Sequence, residues 1–247
     1  MVRIIDGVGY TPEELVVHKS RRNFLAKRIA GFFIELIFFS SVVFVLINFP
    51  AYLKIIKFNL DPQSFVRDFG IQEEIALQAR VQNKPDSDKA DGQAEQKTKE
   101  HKSNFYKLED NHIYIEKIGV SAPIVWDVES DQIADKLSQG VVHISGSSKP
   151  DKDKNTFLTG HSSNYWWDKG DYNTVFALLP SLEKENKIVI TYRGVIYKYK
   201  VVEKKEVTKK EVENYIDLPQ KKSLTIMTCV PVGTNLRRLI IIATPEV

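Results

Sequence analysis

Ile29 to Phe49 is a run of 21 residues that carries a single charge, Glu35. No other stretch constrains the chain as strongly. A helix rising about 1.5 Å per residue would take this run across a hydrocarbon layer of roughly 30 Å. Glu35 lies less than two turns from Arg28, so its carboxylate can reach toward the headgroups. The length and the basic flank favour a membrane span over the buried core helix of a soluble protein. Lys19, Arg21, Arg22, Lys27 and Arg28 crowd the N-terminal side, against Lys54 and Lys57 on the other. This bias predicts a single-pass protein of the cell membrane with residues 1–28 in the cytoplasm and everything after Tyr52 extracytoplasmic. A cleaved signal peptide is disfavoured: the run exceeds a usual h-region, and Asn48-Phe-Pro-Ala-Tyr52 has no small-x-small site. Residues 1–28 carry no readable motif.

Residues 50–104 read as a stalk followed by a charged linker. Asp61 to Gln78 suggests a short helical stalk, and Ala79 to Asn104 is Lys, Glu, Gln and Asp with almost no apolar residues. Such a composition cannot bury enough surface to offset chain entropy, and it would let an outer head move relative to the membrane. The remaining residues, 105–247, suit one domain. They hold 20 Lys and Arg against 19 Asp and Glu, so the head is nearly neutral although the whole chain is +3. Nucleic-acid binding has no electrostatic footprint there. The local excess at Lys204, Lys205, Lys209 and Lys210 alternates with Glu203, Glu206 and Glu211, as on a solvated face.

The head is strand-like throughout. Runs rich in Val, Ile, Thr and Tyr occur at 112–115, 122–125, 141–144, 156–159, 187–192, 195–202, 224–228 and 238–243. Eight such runs separated by turn chemistry predict an all-β barrel or sandwich. Tyr192-Arg-Gly194 reads as a hairpin turn. Asp131–Leu137 and Val175–Leu179 read as short helices.

Cys229 is the only cysteine, so it can staple nothing within the chain. It closes an apolar run just before the turn Pro231-Val-Gly233-Thr-Asn235. An unpaired cysteine is most often a small buried hydrophobe. Its company here points to reactivity: Thr156 to Gly160 is another strand-like run and ends at His161, and Arg238 follows nine residues after the cysteine. Alternation places Thr225, Met227 and Cys229 on one strand face and Arg238, Ile240 and Ile242 on one face of the next. If these strands pair as a hairpin, Cys229 and Arg238 become neighbours. A thiolate can attack a carbonyl, an imidazole can pass the proton to a leaving amine, and a fixed cation can hold the oxyanion.

The sequence resembles the sortases, membrane-anchored cysteine transpeptidases of bacterial cell surfaces, from Ile113 to Ala243. Leu158-Thr-Gly-His161 is similar to the family's histidine element, Leu224-Thr-Ile-Met-Thr-Cys229 to its Thr-Leu-x-Thr-Cys element, and Arg238-Leu-Ile-Ile-Ile-Ala243 to its arginine-bearing last strand. Ile115–Ile124 and Leu137–Ser147 look like its opening segments. The resemblance implies an eight-stranded β-barrel with short helices. It also implies cleavage of a Leu-Pro-x-Thr-Gly-like sorting signal on surface proteins, a thioester on Cys229, and transfer to an amine of peptidoglycan precursor or a pilin lysine. His161 would be the proton donor and acceptor and Arg238 the oxyanion or substrate stabiliser. No cofactor or metal is implied; calcium dependence is left open.

Several features depart from the family's pattern. Pro150–Asn155 is charged, and the segment after His161 is long and aromatic, with Trp166 and Trp167 read as packing a loop rather than closing a groove. No second apolar segment follows Ala243, which argues against the pilin-polymerising members. His143, on an apolar strand, is expected to be structural. Ser181-Leu-Glu-Lys184 mimics a Ser-x-x-Lys motif but has no downstream Lys-Thr-Gly. Two other readings stay open. One is an L,D-transpeptidase-type peptidoglycan cross-linker, which expects a Ser-x-Gly-Cys context that Met227-Thr-Cys229 does not supply. The other is a non-catalytic surface binding module, which would be marked by loss of the Cys, His or Arg.

Overall fold

The computed structural model describes residues 3–5, 8–10, 12–66, 108–165, 167–219 and 222–246, with side chains from Lys27 onward. The chain divides into two compact units, residues 1–47 and 48–247. The first holds a small hairpin, β1 (Arg3–Ile5) and β2 (Val8–Tyr10), and the helix α1 (Pro12–Ile47). Within α1, Lys27–Ile47 is 21 residues of mean hydropathy 2.4 with none of it buried, long and apolar enough to cross a membrane.

The second unit opens with α2 (Phe49–Leu60) and a 3-10 turn at Pro62–Phe65. Proline 50 sits in the first turn of α2, where its missing N–H costs nothing. The apolar run read as one segment to Phe49 is therefore split at Asn48. The residues that follow depart from the expected stalk. Ala51 and Phe58 are buried, and Ile55, Phe58 and Phe65 pack into the main core. The second compact unit thus begins at Asn48. The expected linker lies in sequence between this docked segment and the first strand of the barrel; residues 67–107 fall outside the described residues.

Eight strands then close a barrel in the order β10-β8-β7-β3-β4-β5-β6-β9. They are β3 (His112–Ile115), β4 (Val120–Val128), β5 (Val141–Ile144), β6 (Thr156–Thr159), β7 (Lys187–Tyr192), β8 (Val195–Val207), β9 (Leu224–Val230) and β10 (Arg237–Pro245). A single helical turn at Ile133–Lys136 and 3-10 turns at Glu116–Ile118, Leu179–Ser181 and Lys209–Tyr215 complete the described elements of the head. The β7–β8 hairpin turns through Arg193 and Gly194, both at positive φ (53° and 72°), as a two-residue primed turn requires.

Both faces of β9 and β10 are covered, which explains their near-continuous apolar runs. Leu224, Ile226, Leu239 and Ile241 point into the barrel core, with Ile113, Leu158 and Ile190. Met227, Ile240 and Ile242 face outward under Val212 and Tyr215. The parallel pairing of β6 with β9 is locked at one end by buried Asn155. Its Nδ2 donates to the carbonyls of Tyr215 (2.8 Å) and Ile216 (3.0 Å), and its Oδ1 accepts from Ser223 Oγ and Thr225 Oγ1 at 2.9 and 3.0 Å. A slip of β9 against β6 would break the bonds to Ser223 and Thr225 together.

Candidate active site

Two strand pairings bring the three singled-out residues together. In the antiparallel β9–β10 pair, Arg238 is the register partner of Cys229. In the parallel β6–β9 pair, Thr159 is level with Met227. Two residues further along both chains come His161 and Cys229, so the thiol strand lies between the histidine's strand and the arginine's. Cys229 and Arg238 share the outward face with Met227 and Ile240, as alternation requires.

The Thr-Gly-His element has a local reason for its glycine. A Cβ at Gly160 would stand 2.5 Å from the Phe176 ring, so only glycine lets the chain pass. The Gly160 carbonyl accepts from Thr228 Oγ1 at 2.8 Å, and the Gly160 N–H donates to the Met227 carbonyl at 3.2 Å. The next residue is then fixed in turn, because the Phe176 N–H donates to the His161 carbonyl at 2.9 Å. His161 is half-buried. Burial pushes its imidazole below the ordinary value, and the carboxylate of Asp168 opposes that shift. The neutral form, able to accept a proton, is favoured.

His161 and Cys229 line one cleft of about 390 Å³, together with Asn48, Tyr165, Gly233, Thr234 and Asn235. The half-buried Cys229 thiol donates to Asn235 Oδ1 at 3.7 Å. Arg238 is not among the residues lining this cleft; its Nη1 donates to the Arg237 carbonyl at 3.1 Å. Arg237 is held elsewhere, with Nη2 donating to the Glu206 carbonyl at 3.1 Å and Nε 3.6 Å from the Glu206 carboxylate. Among the described residues no group of three or more His, Cys, Asp and Glu side chains is placed to hold a metal ion.

His143 belongs to the framework. It is fully buried, its Nδ1 accepts the Asp127 N–H at 3.2 Å, and its Nε2 lies 3.1 Å from the Ser148 carbonyl and 2.9 Å from Ser147 Oγ. Trp167 stacks on Tyr165 at 4.8 Å between ring centroids, and both are about half exposed. Trp166 lies outside the described residues. Asn48 and Asn235 escaped the sequence reading. Asn235 lies in the turn after the cysteine strand, where its residue type marks only a turn, and nothing in the sequence ties Asn48 to a cysteine 181 positions away.

A family model described as the sortase domain matches residues 113–246. Similar solved structures include sortase C-1 from Actinomyces oris, at 28% identity, TM-score 0.48, covering 55% of this chain and 72% of that one. Sortase A from Corynebacterium diphtheriae, a lid mutant, matches at 24% identity, TM-score 0.47, over 59% and 81% of the two chains. A Clostridium perfringens sortase D5 transpeptidase matches at 25% identity, TM-score 0.46, over 55% and 78%. No curated protein matches. With its sortase domain spanning more than half its length and closing the eight-stranded barrel, the chain belongs to the sortase family, a family of cysteine transpeptidases.

Proposed function

We propose that Cys229 is the nucleophile of a sortase reaction, with His161 as proton carrier and Arg238 as the group that holds the substrate carbonyl or developing oxyanion. The observation that carries this reading is the double register: Arg238 opposite Cys229 on one side, and the His161 strand in step with it on the other. The Cys229 thiol gives its proton to His161 as its sulfur attacks the scissile carbonyl of a Leu-Pro-x-Thr-Gly-like signal on a surface protein. The departing amine takes a proton from the imidazolium, and a thioester remains. An incoming amine, from peptidoglycan precursor or a pilin lysine, gives its proton to His161 as it attacks. The new amide forms and the thiol is restored. Arg238, carrying a permanent charge, stabilises the oxyanion in both halves.

The apolar part of α1 anchors the enzyme in the cell membrane, with the N-terminus cytoplasmic and the barrel outside. The basic residues 19–28 support that orientation. The chemistry is tested by mixing the protein with a library of sorting peptides and following intact mass. An acyl adduct on Cys229 that an added amine discharges is the expected result; no adduct with any peptide would refute the assignment.

A further inference from the structure

The barrel alone does not build the wall of the Cys229 cleft. Asn48, which precedes α2, lines that cleft and is only 7% exposed. Its carboxamide is packed on the turn that follows the cysteine strand. Gly233 there has φ of 85°, and a Cβ on it would stand 2.8 Å from Cγ of Asn48 and 2.9 Å from its Nδ2 and Oδ1. The turn therefore needs a glycine for its backbone and for the space Asn48 occupies. α2 grips the same turn twice more. The Tyr52 hydroxyl donates to the Val232 carbonyl at 3.3 Å, and Ala51 packs with Val232 and Ala177. It also reaches the segment after His161, where Lys54 Nζ donates to the Thr174 carbonyl at 3.1 Å. The two loops are joined directly by the Gly233 N–H donating to Ser163 Oγ at 2.9 Å. At its far end the turn carries Asn235, the hydrogen-bond partner of the Cys229 thiol.

We propose that Asn48 is a positioning residue for the transpeptidation: held by α2, its carboxamide sets the 231–235 turn and, through it, the place of Asn235 beside the Cys229 sulfur. The inference rests on Cys229 being the nucleophile. The turn lies beyond the strand pairing, so its position follows from what it packs against. A displacement of about 1 Å at a reacting group can cost on the order of a hundredfold in rate.

The full chain in detergent micelles allows a test with two independent readouts. Because Cys229 is the only thiol, its alkylation by iodoacetamide can be followed against pH by intact mass, with or without turnover. Asn48→Ala is expected to lower kcat at least about tenfold with KM within about threefold. In an Asn235→Ala background the same change should add less than about a twofold loss, because the two residues act in series. Asn48→Asp keeps the shape but adds a carboxylate to the cleft, so the midpoint of the alkylation profile should rise by about half a pH unit or more.

An unchanged kcat in Asn48→Ala, or an unmoved alkylation midpoint in Asn48→Asp, overturns the proposal. So does full additivity with Asn235→Ala, which would mark a merely structural role. Failure of the underlying reading looks different: Cys229→Ala would then keep its turnover while the alkylation profile of the other variants stayed readable.

Discussion

Arg238 stands opposite Cys229 across the β9–β10 pair, whereas the adjacent Arg237 is bound to the backbone and carboxylate of Glu206. The register thereby puts Arg238 on the thiol's strand face, while the Arg237 guanidinium is occupied by Glu206. Arg238→Ala should lower turnover by at least about a hundredfold, the usual cost of losing an oxyanion partner. Arg237→Ala should change it little, with both proteins folded by circular dichroism. The reverse ranking would remove Arg238 from the mechanism.

The packing of residues 48–65 against the core fixes where a stable fragment must begin. Burying a phenylalanine contributes about 1.5–3 kcal/mol, and Phe58 is 7% exposed in the core. A fragment of residues 48–247 should therefore melt at least about 5 °C above one of residues 105–247. Differential scanning calorimetry decides it; equal midpoints would show that α2 contributes nothing to the head.

Acid should weaken the head through its two desolvated imidazoles. Burial depresses both His143 and His161 below their ordinary value of 6.5. Each stays neutral in the folded chain where the unfolded chain would take a proton. Their contribution is complete above that ordinary value and is lost as pH falls below it toward the folded values. Denaturant midpoints should therefore drop as pH falls below the ordinary value of 6.5, with a shallower slope in His143→Asn. A midpoint that held steady or rose on acidification would contradict the buried, neutral assignment.

The strands were legible because their signal is local. Alternation and β-branched content marked 112–115, 141–144, 156–159 and 187–192 at their observed bounds, and the faces of Cys229 and Arg238 followed from parity alone. What stayed hidden depends on distant partners. Phe49–Leu60 shows an apolar side, yet the residues that cover it, Ala177 and Val232, come from loops more than a hundred positions away. Asn48 has no sequence mark at all, since its role exists only through the space above Gly233. The extra length of β8, to Val207, arises from its pairing with β10, which pulls the polar run Glu203–Glu206 into register.

Topology has an equally direct check. A membrane-impermeant maleimide applied to intact cells should label Cys229, because no other thiol in the chain competes. Labelling that appears only after lysis would reverse the orientation read from the basic flank.

The most direct test of the account is intact mass of Cys229→Ala beside the unmodified protein, each mixed with a sorting peptide and no acceptor amine. The native chain should gain one acyl group and lose it when the amine is added, while the folded variant should gain none. An acyl adduct on Cys229→Ala would contradict the assignment of the nucleophile.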